Sequence, residues 1–96
     1  LTTGNNGAGR LWKIERREGF DADAQRLRAE YPRLAQVLTA VERQFASIPT
    51  YRAARVGANG WLYATNAAAD APSLVLFYEI DETTHVVALL GVDLNG

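Results

Sequence analysis

The chain has no cysteine, no methionine, a single histidine (His85) and no lysine or arginine after Arg55. Without cysteine there is neither a disulfide framework nor a thiolate metal site, and one imidazole alone does not make a zinc centre. No metal and no other cofactor are expected. Long apolar runs are missing too. No stretch approaches the roughly 18 residues needed to span a bilayer, and the opening LTTGNNGAGR has neither the basic flank nor the apolar core of a secretory leader. These absences set the expectation of a cytoplasmic protein that does not engage a membrane.

What is present suits one small globular unit: 96 residues, 48% hydrophobic and 22% charged. The glycines and asparagines at the start predict a flexible lead-in over residues 1–9, followed by a single domain over 10–96. A net charge of −1 conceals an uneven distribution. All ten cations, nine of them arginine, lie between Arg10 and Arg55, whereas residues 56–96 carry five acids. The forked arginine head group suits phosphate or carboxylate, so the first half could meet an anionic partner. On the alternative reading, these arginines pair with Glu15, Glu18, Glu30 and Glu42 on solvated helix faces.

Periodicity orders the chain. LWKIERR alternates as a half-buried strand does, over about 11–17. After Gly19, an acidic cap at Asp21 and the spacing of Phe20, Ala24, Leu27 and Tyr31 predict a short helix, which Pro32 separates from the next. The strongest signal follows: Leu34, Val37, Leu38, Val41, Phe45 and Ile48 trace one face of a second helix ending before Pro49. TYRAARVGANG reads as a connector, GWLYATN as a short strand, and AAADAP as a turn. Two longer strands close the chain around the turn DETTH, with Leu74, Leu76, Tyr78 and Ile80 on one face of the first and Val86, Ala88, Leu90, Val92 and Leu94 on one face of the second. The expected architecture is α+β in the order β-α-α-β-β-β, a small antiparallel sheet with the helix pair packed on one face.

Few residues suggest chemistry. His85 sits in or beside a turn, where an exposed side chain is the simplest expectation, and a serine triad would need Ser47 or Ser73 to reach it without any nucleophile elbow in the sequence. Glu79 and Asp81 share a strand face beside Glu82; such acids can divide acid and base roles or hold a hard cation, but at a strand end they more commonly guard an edge. GANG and GNNGAG lack the lysine and the helix start of a phosphate loop. Trp61 and Tyr63 share a face just after Arg52 and Arg55, an arrangement that single-stranded nucleic acid or a peptide could use for stacking, and that a core would use equally well.

Taken together, the strand carrying Trp12, the helix pair ending at Pro49, YRAARVG followed by GWLYAT, and LVLFYEID turning into HVVALLGV resemble the RelE/ParE superfamily of bacterial type II toxin–antitoxin toxins. The resemblance covers roughly residues 11–92. It implies a compact sheet whose concave face is the working surface, and an antitoxin protein that wraps and inhibits it. RelE-like members cut messenger RNA on the ribosome with a basic set of side chains and often a tyrosine near the C-terminus; ParE-like members poison DNA gyrase without that set. This chain departs from the cutting pattern, with Val75 where an arginine is expected and VDLNG where an arginine and the tyrosine would follow. Metal-free phosphodiester cleavage needs cations to stabilise the charge of the transition state. Arg52 and Arg55, with Tyr63 or Tyr78, are the candidates to supply that chemistry. A non-catalytic interaction module of the same fold is the alternative.

Overall fold

The two expected helices form where apolar side chains recur at helical spacing. The computed structural model describes residues 11–67 and 71–95; the expected lead-in at 1–9 lies outside them, as does part of the AAADAP turn. Helix α1 (Glu18–Glu30) buries Phe20, Ala24 and Leu27, and α2 (Leu34–Ser47) buries Leu34, Leu38, Val41 and Phe45. Helix α1 begins three residues before the expected cap: Arg17 occupies the N-cap position, and Asp21 lies in the first turn, where its charge complements the helix dipole. Ile48 follows the last turn of α2 and is 55% exposed, so it leaves the apolar face that its spacing suggests.

Five strands are found among the described residues: β1 (Lys13–Arg16), β2 (Ala54–Val56), β3 (Gly60–Ala64), β4 (Leu74–Asp81) and β5 (Val86–Leu94). They form one sheet in the order β1-β5-β4-β3-β2. The α+β class and the helix pair on one face are as the sequence predicts. Two features differ. The sheet is mixed, because β1 runs parallel to β5, and the connector contains a strand, β2, paired antiparallel to β3. All three residues of β2 are exposed, so no alternation marks it. Its turn into β3 depends on Gly57 at φ +68° and on Gly60, where a Cβ would come within 2.7 Å of the Val56 carbonyl oxygen.

The core lies between the helices and one face of the sheet. Leu74, Leu76 and Tyr78 of β4 meet Phe20, Leu27, Leu34, Leu38 and Phe45 there, and each such side chain contributes about 1.5–3 kcal/mol on full burial. In β5 the inward residues are Val87 and Leu89, then Val92, instead of the single series from Val86 through Leu94. The reason is a register shift: Tyr78 faces Leu89 but Phe77 faces Gly91, so Leu90 is one residue extra. Beyond it, the Asp23 carboxylate of α1 accepts the Val92 N–H at 3.1 Å, and a Cβ on Gly91 would lie 3.2 Å from the same oxygen.

Strand β1 is held at both ends. The Trp12 N–H donates to the Ala46 carbonyl at 2.8 Å and the Arg17 N–H to the Leu89 carbonyl at 2.9 Å. Arg16 reaches across to Glu42 of α2, with Nε donating at 2.7 Å. No helix among the described residues is long and apolar enough to cross a membrane.

Removing the carboxylate that bridges α1 to the bulge should be costly. Asp23→Ala is expected to destabilise the fold by about 1.5–3 kcal/mol, the range for loss of a hydrogen bond to a charged group. Urea denaturation followed by circular dichroism measures it, and an unchanged midpoint would mean that the bulge needs no such anchor.

Candidate functional site

The sheet has one covered face and one open face. On the covered side Trp61 and Tyr63 of β3 stand in register with Tyr78 and Leu76, and Arg55 of β2 stands beside Trp61. On the open side the rows are Ala54, Leu62 and Phe77; then Val56, Gly60, Glu79, Ala88 and Glu15; then Asp81, Val86 and Lys13. Ala64, Val75 and Asp93 form a further row beyond Phe77.

The four residues singled out for chemistry all fall away from the open face. Tyr78 is fully buried, tilted against Phe45 at 4.4 Å between ring centroids, and its hydroxyl donates to the Pro49 carbonyl at 2.6 Å. Burial pushes its phenol well above the ordinary tyrosine range, with nearby Tyr63 adding to the effect. Tyr63 is half-buried, packs nearly perpendicular to the Phe45 ring at 5.4 Å between centroids, and donates to Gln44 Oε1 at 3.4 Å. The two tyrosines are therefore brought together around Phe45, within the packing between α2 and the sheet.

The two arginines stay at the surface. Arg52 holds a left-handed backbone (φ 58°) in the turn after Pro49, with its guanidinium 5.6 Å from the Tyr51 ring centroid. Arg55 lies over Trp61 at 5.2 Å and donates to the Ala58 carbonyl at 2.6 Å. It edges a hollow of about 440 Å³ that Trp12, Pro49, Trp61, Ile80 and Glu82 also line. Neither tyrosine opens into this hollow, so the arginines and the tyrosines do not converge on one reacting position.

His85 is more constrained than a surface turn residue would be. It is half-buried, adopts φ 61° at the end of the β4–β5 turn, and stacks on Trp12 with ring centroids 3.8 Å apart and planes 16° from parallel. Its backbone carbonyl accepts the Lys13 N–H at 3.0 Å, so the residue serves the junction of the turn with β1. No group of three or more histidine, aspartate or glutamate side chains among the described residues is placed to hold a metal ion.

The open face carries the sheet's acids. A broad hollow of about 900 Å³ there is lined by Glu15, Glu79, Asp81 and Glu82 with Lys13 and Arg17. Both cations turn to Glu15, at 3.5 Å and 2.6 Å, and this pairing with Arg17 first and Lys13 second holds the Glu15 carboxyl below its usual value. Glu79 and Glu82 form no ion pair among the described residues. Asp81 binds its own turn, accepting the N–H groups of Thr83 at 2.9 Å and Thr84 at 3.2 Å. Thr84 contributes most to lowering its carboxyl from the ordinary value. Sequence reasoning saw these acids as an edge guard; it missed that they adjoin exposed apolar residues, because that row is assembled from three strands.

Two outcomes are expected. Tyr78→Phe leaves the Pro49 carbonyl without its donor and should cost about 1–2 kcal/mol of stability while leaving any biological activity intact; loss of activity in a variant that remains folded would place Tyr78 in the chemistry. Asp81, its carboxyl depressed in the folded state, stabilises the turn above the ordinary aspartate range and loses that contribution as the pH falls below about 4. Asp81→Ala should therefore lower the melting temperature near neutral pH and have no effect in strong acid, as read by thermal unfolding across a pH series.

Comparison with known proteins rests on the fold alone. No family model matches this chain, and no curated protein matches it. Among solved structures, a chain of the toxin–antitoxin complex RelBE2 from Mycobacterium tuberculosis superposes with a TM-score of 0.67 at 20% identity, over 88% of this chain and 99% of that one. Nearly the whole of that chain thus has a counterpart here, and this protein shares its fold.

Proposed function

We propose that this chain is the toxin component of a toxin–antitoxin pair, restrained by an antitoxin protein in the cytoplasm, and that it arrests growth by protein contact instead of RNA cleavage. The observation that carries the reading is the fold shared, over 88% of the chain, with a chain of a toxin–antitoxin complex. Charge supports the second half of it. Strands β3, β4 and β5 contain no lysine or arginine, and their open face presents Glu79, Asp81 and Asp93. Cleavage of RNA without a metal needs cations around the phosphate in the transition state, and an acidic surface repels the backbone that would have to approach it. DNA gyrase, the target of the ParE branch of the superfamily that the sequence resembles, is the candidate for such contact.

A ribosome-directed nuclease is the competing reading. It is favoured by one feature, the exposed guanidinium of Arg55 above Trp61 at a hollow, with Arg52 nearby in the chain. Growth of a bacterial host after induced expression separates the two. On the reading proposed here, DNA synthesis falls before incorporation of labelled amino acids, and Arg52→Ala with Arg55→Ala leaves the arrest unchanged. Prompt loss of translation that the double variant abolishes would instead establish the nuclease. Normal growth with abundant soluble protein would favour a non-catalytic interaction module.

A further inference from the structure

The open sheet face combines an apolar row with acids on both of its sides. Leu62 and Phe77 stand side by side with Ala54, and Phe77 and Val56 are 39% and 45% exposed although both are large and apolar. Glu79 lies two residues along β4 on one side of the row, and Asp93 of β5 lies in the next row on the other. Neither has an ion-pair partner among the described residues, and the two cations of this face, Lys13 and Arg17, are both occupied by Glu15. A solvent-facing strip of this kind, apolar along its length and uncompensated in charge at its flanks, is suited to a complementary partner.

The geometry points to a docking surface for an amphipathic helix of a partner protein, with an apolar stripe on Leu62 and Phe77 and lysine or arginine flanking it toward Glu79 and Asp93. The physical case for a helix is hydrogen bonding. An extended segment lying on side chains would leave its own N–H and C=O groups unpaired, whereas a helix satisfies them internally. The dimensions agree, since the four strands β2 to β5 span about 14 Å at roughly 4.8 Å per strand, close to the length of a ten-residue helix. This deepens the toxin reading, on which it rests for the partner's role: the restraining segment of the antitoxin would be basic, matched to an acidic toxin face.

Binding of the helical peptide Ac-LKKLLKLLKKLLKL-NH2 to the full chain, followed by amide NMR shifts, tests this. The same peptide with glutamate at every lysine and a short polyuridine RNA serve as comparisons. Shifts are expected to cluster on Leu62, Phe77 and Glu79, to weaken with salt, and to be absent with the acidic peptide and the RNA. Phe77→Ser and Glu79→Lys should each weaken affinity about tenfold or more; Phe77 is partly exposed, so both variants should stay folded, which circular dichroism verifies. No shifts at about 1 mM peptide, equal binding of the acidic peptide, binding of the RNA on this face, or shifts centred on Ile48 and Tyr51 would each overturn the proposal. Growth arrest is read separately. Peptide binding by a harmless protein would keep the docking surface and remove the toxin reading; arrest by a protein that ignores the peptide would do the reverse.

Discussion

The β-bulge in β5 decides which side chains this protein buries and which it shows. A strand alternates strictly, so one extra residue at Leu90 exchanges the two faces of everything beyond it. Before the bulge Val87 and Leu89 point into the core, and after it Val92 does. Had the alternation run unbroken, the same residues would have divided between core and solvent, and Asp93 would have pointed toward the helices. The bond from Val92 to Asp23 ties this local irregularity to α1, so the helix layer and the register of the central strand pair are set together.

The same register separates two classes of tyrosine and arginine environment. Tyr78 lies inward, and its hydroxyl is used to hold the Pro49 carbonyl where α2 gives way to the turn. A buried phenol with its proton committed to a carbonyl is a structural group, and burial disfavours the phenolate that a base would need. Arg55 follows its strand partner Trp61 onto the covered side. The open face is left with aliphatic side chains, one phenylalanine, and acids whose nearest cations, Lys13 and Arg17, are both engaged by Glu15, a composition that favours contact with protein over contact with a polyanion.

Much of the fold was legible in the sequence because burial imposes period on it. Both helices could be placed from apolar spacing, and β4 from the alternation of Leu74, Leu76, Tyr78 and Ile80. Where nothing is buried no period is imposed: Ala54, Arg55 and Val56 pair with β3 through the backbone while all three remain exposed, so the pattern of β2 is that of a connector. The parallel pairing of β1 with β5 joins segments about seventy residues apart, and local pattern carries no information on direction across such a distance. The candidate site was less legible still. Residue type and nearness in sequence are what join Arg52, Arg55, Tyr63 and Tyr78, and neither property determines the side of a sheet on which a residue lies.

By itself, the sequence determined the α+β composition, the helix pair and its core-facing residues, and a stretch from Val56 to Gly96 without a single lysine or arginine, because each of these follows from residue type and local spacing. Only the tertiary structure decided the bulge, the neighbour of β1, the inward position of Tyr78 and the row formed by Ala54, Leu62 and Phe77 between Glu79 and Asp93. Those depend on register between strands distant in the chain. Hydrogen bonds and packing across the sheet select that register, and no short stretch of residues encodes it alone.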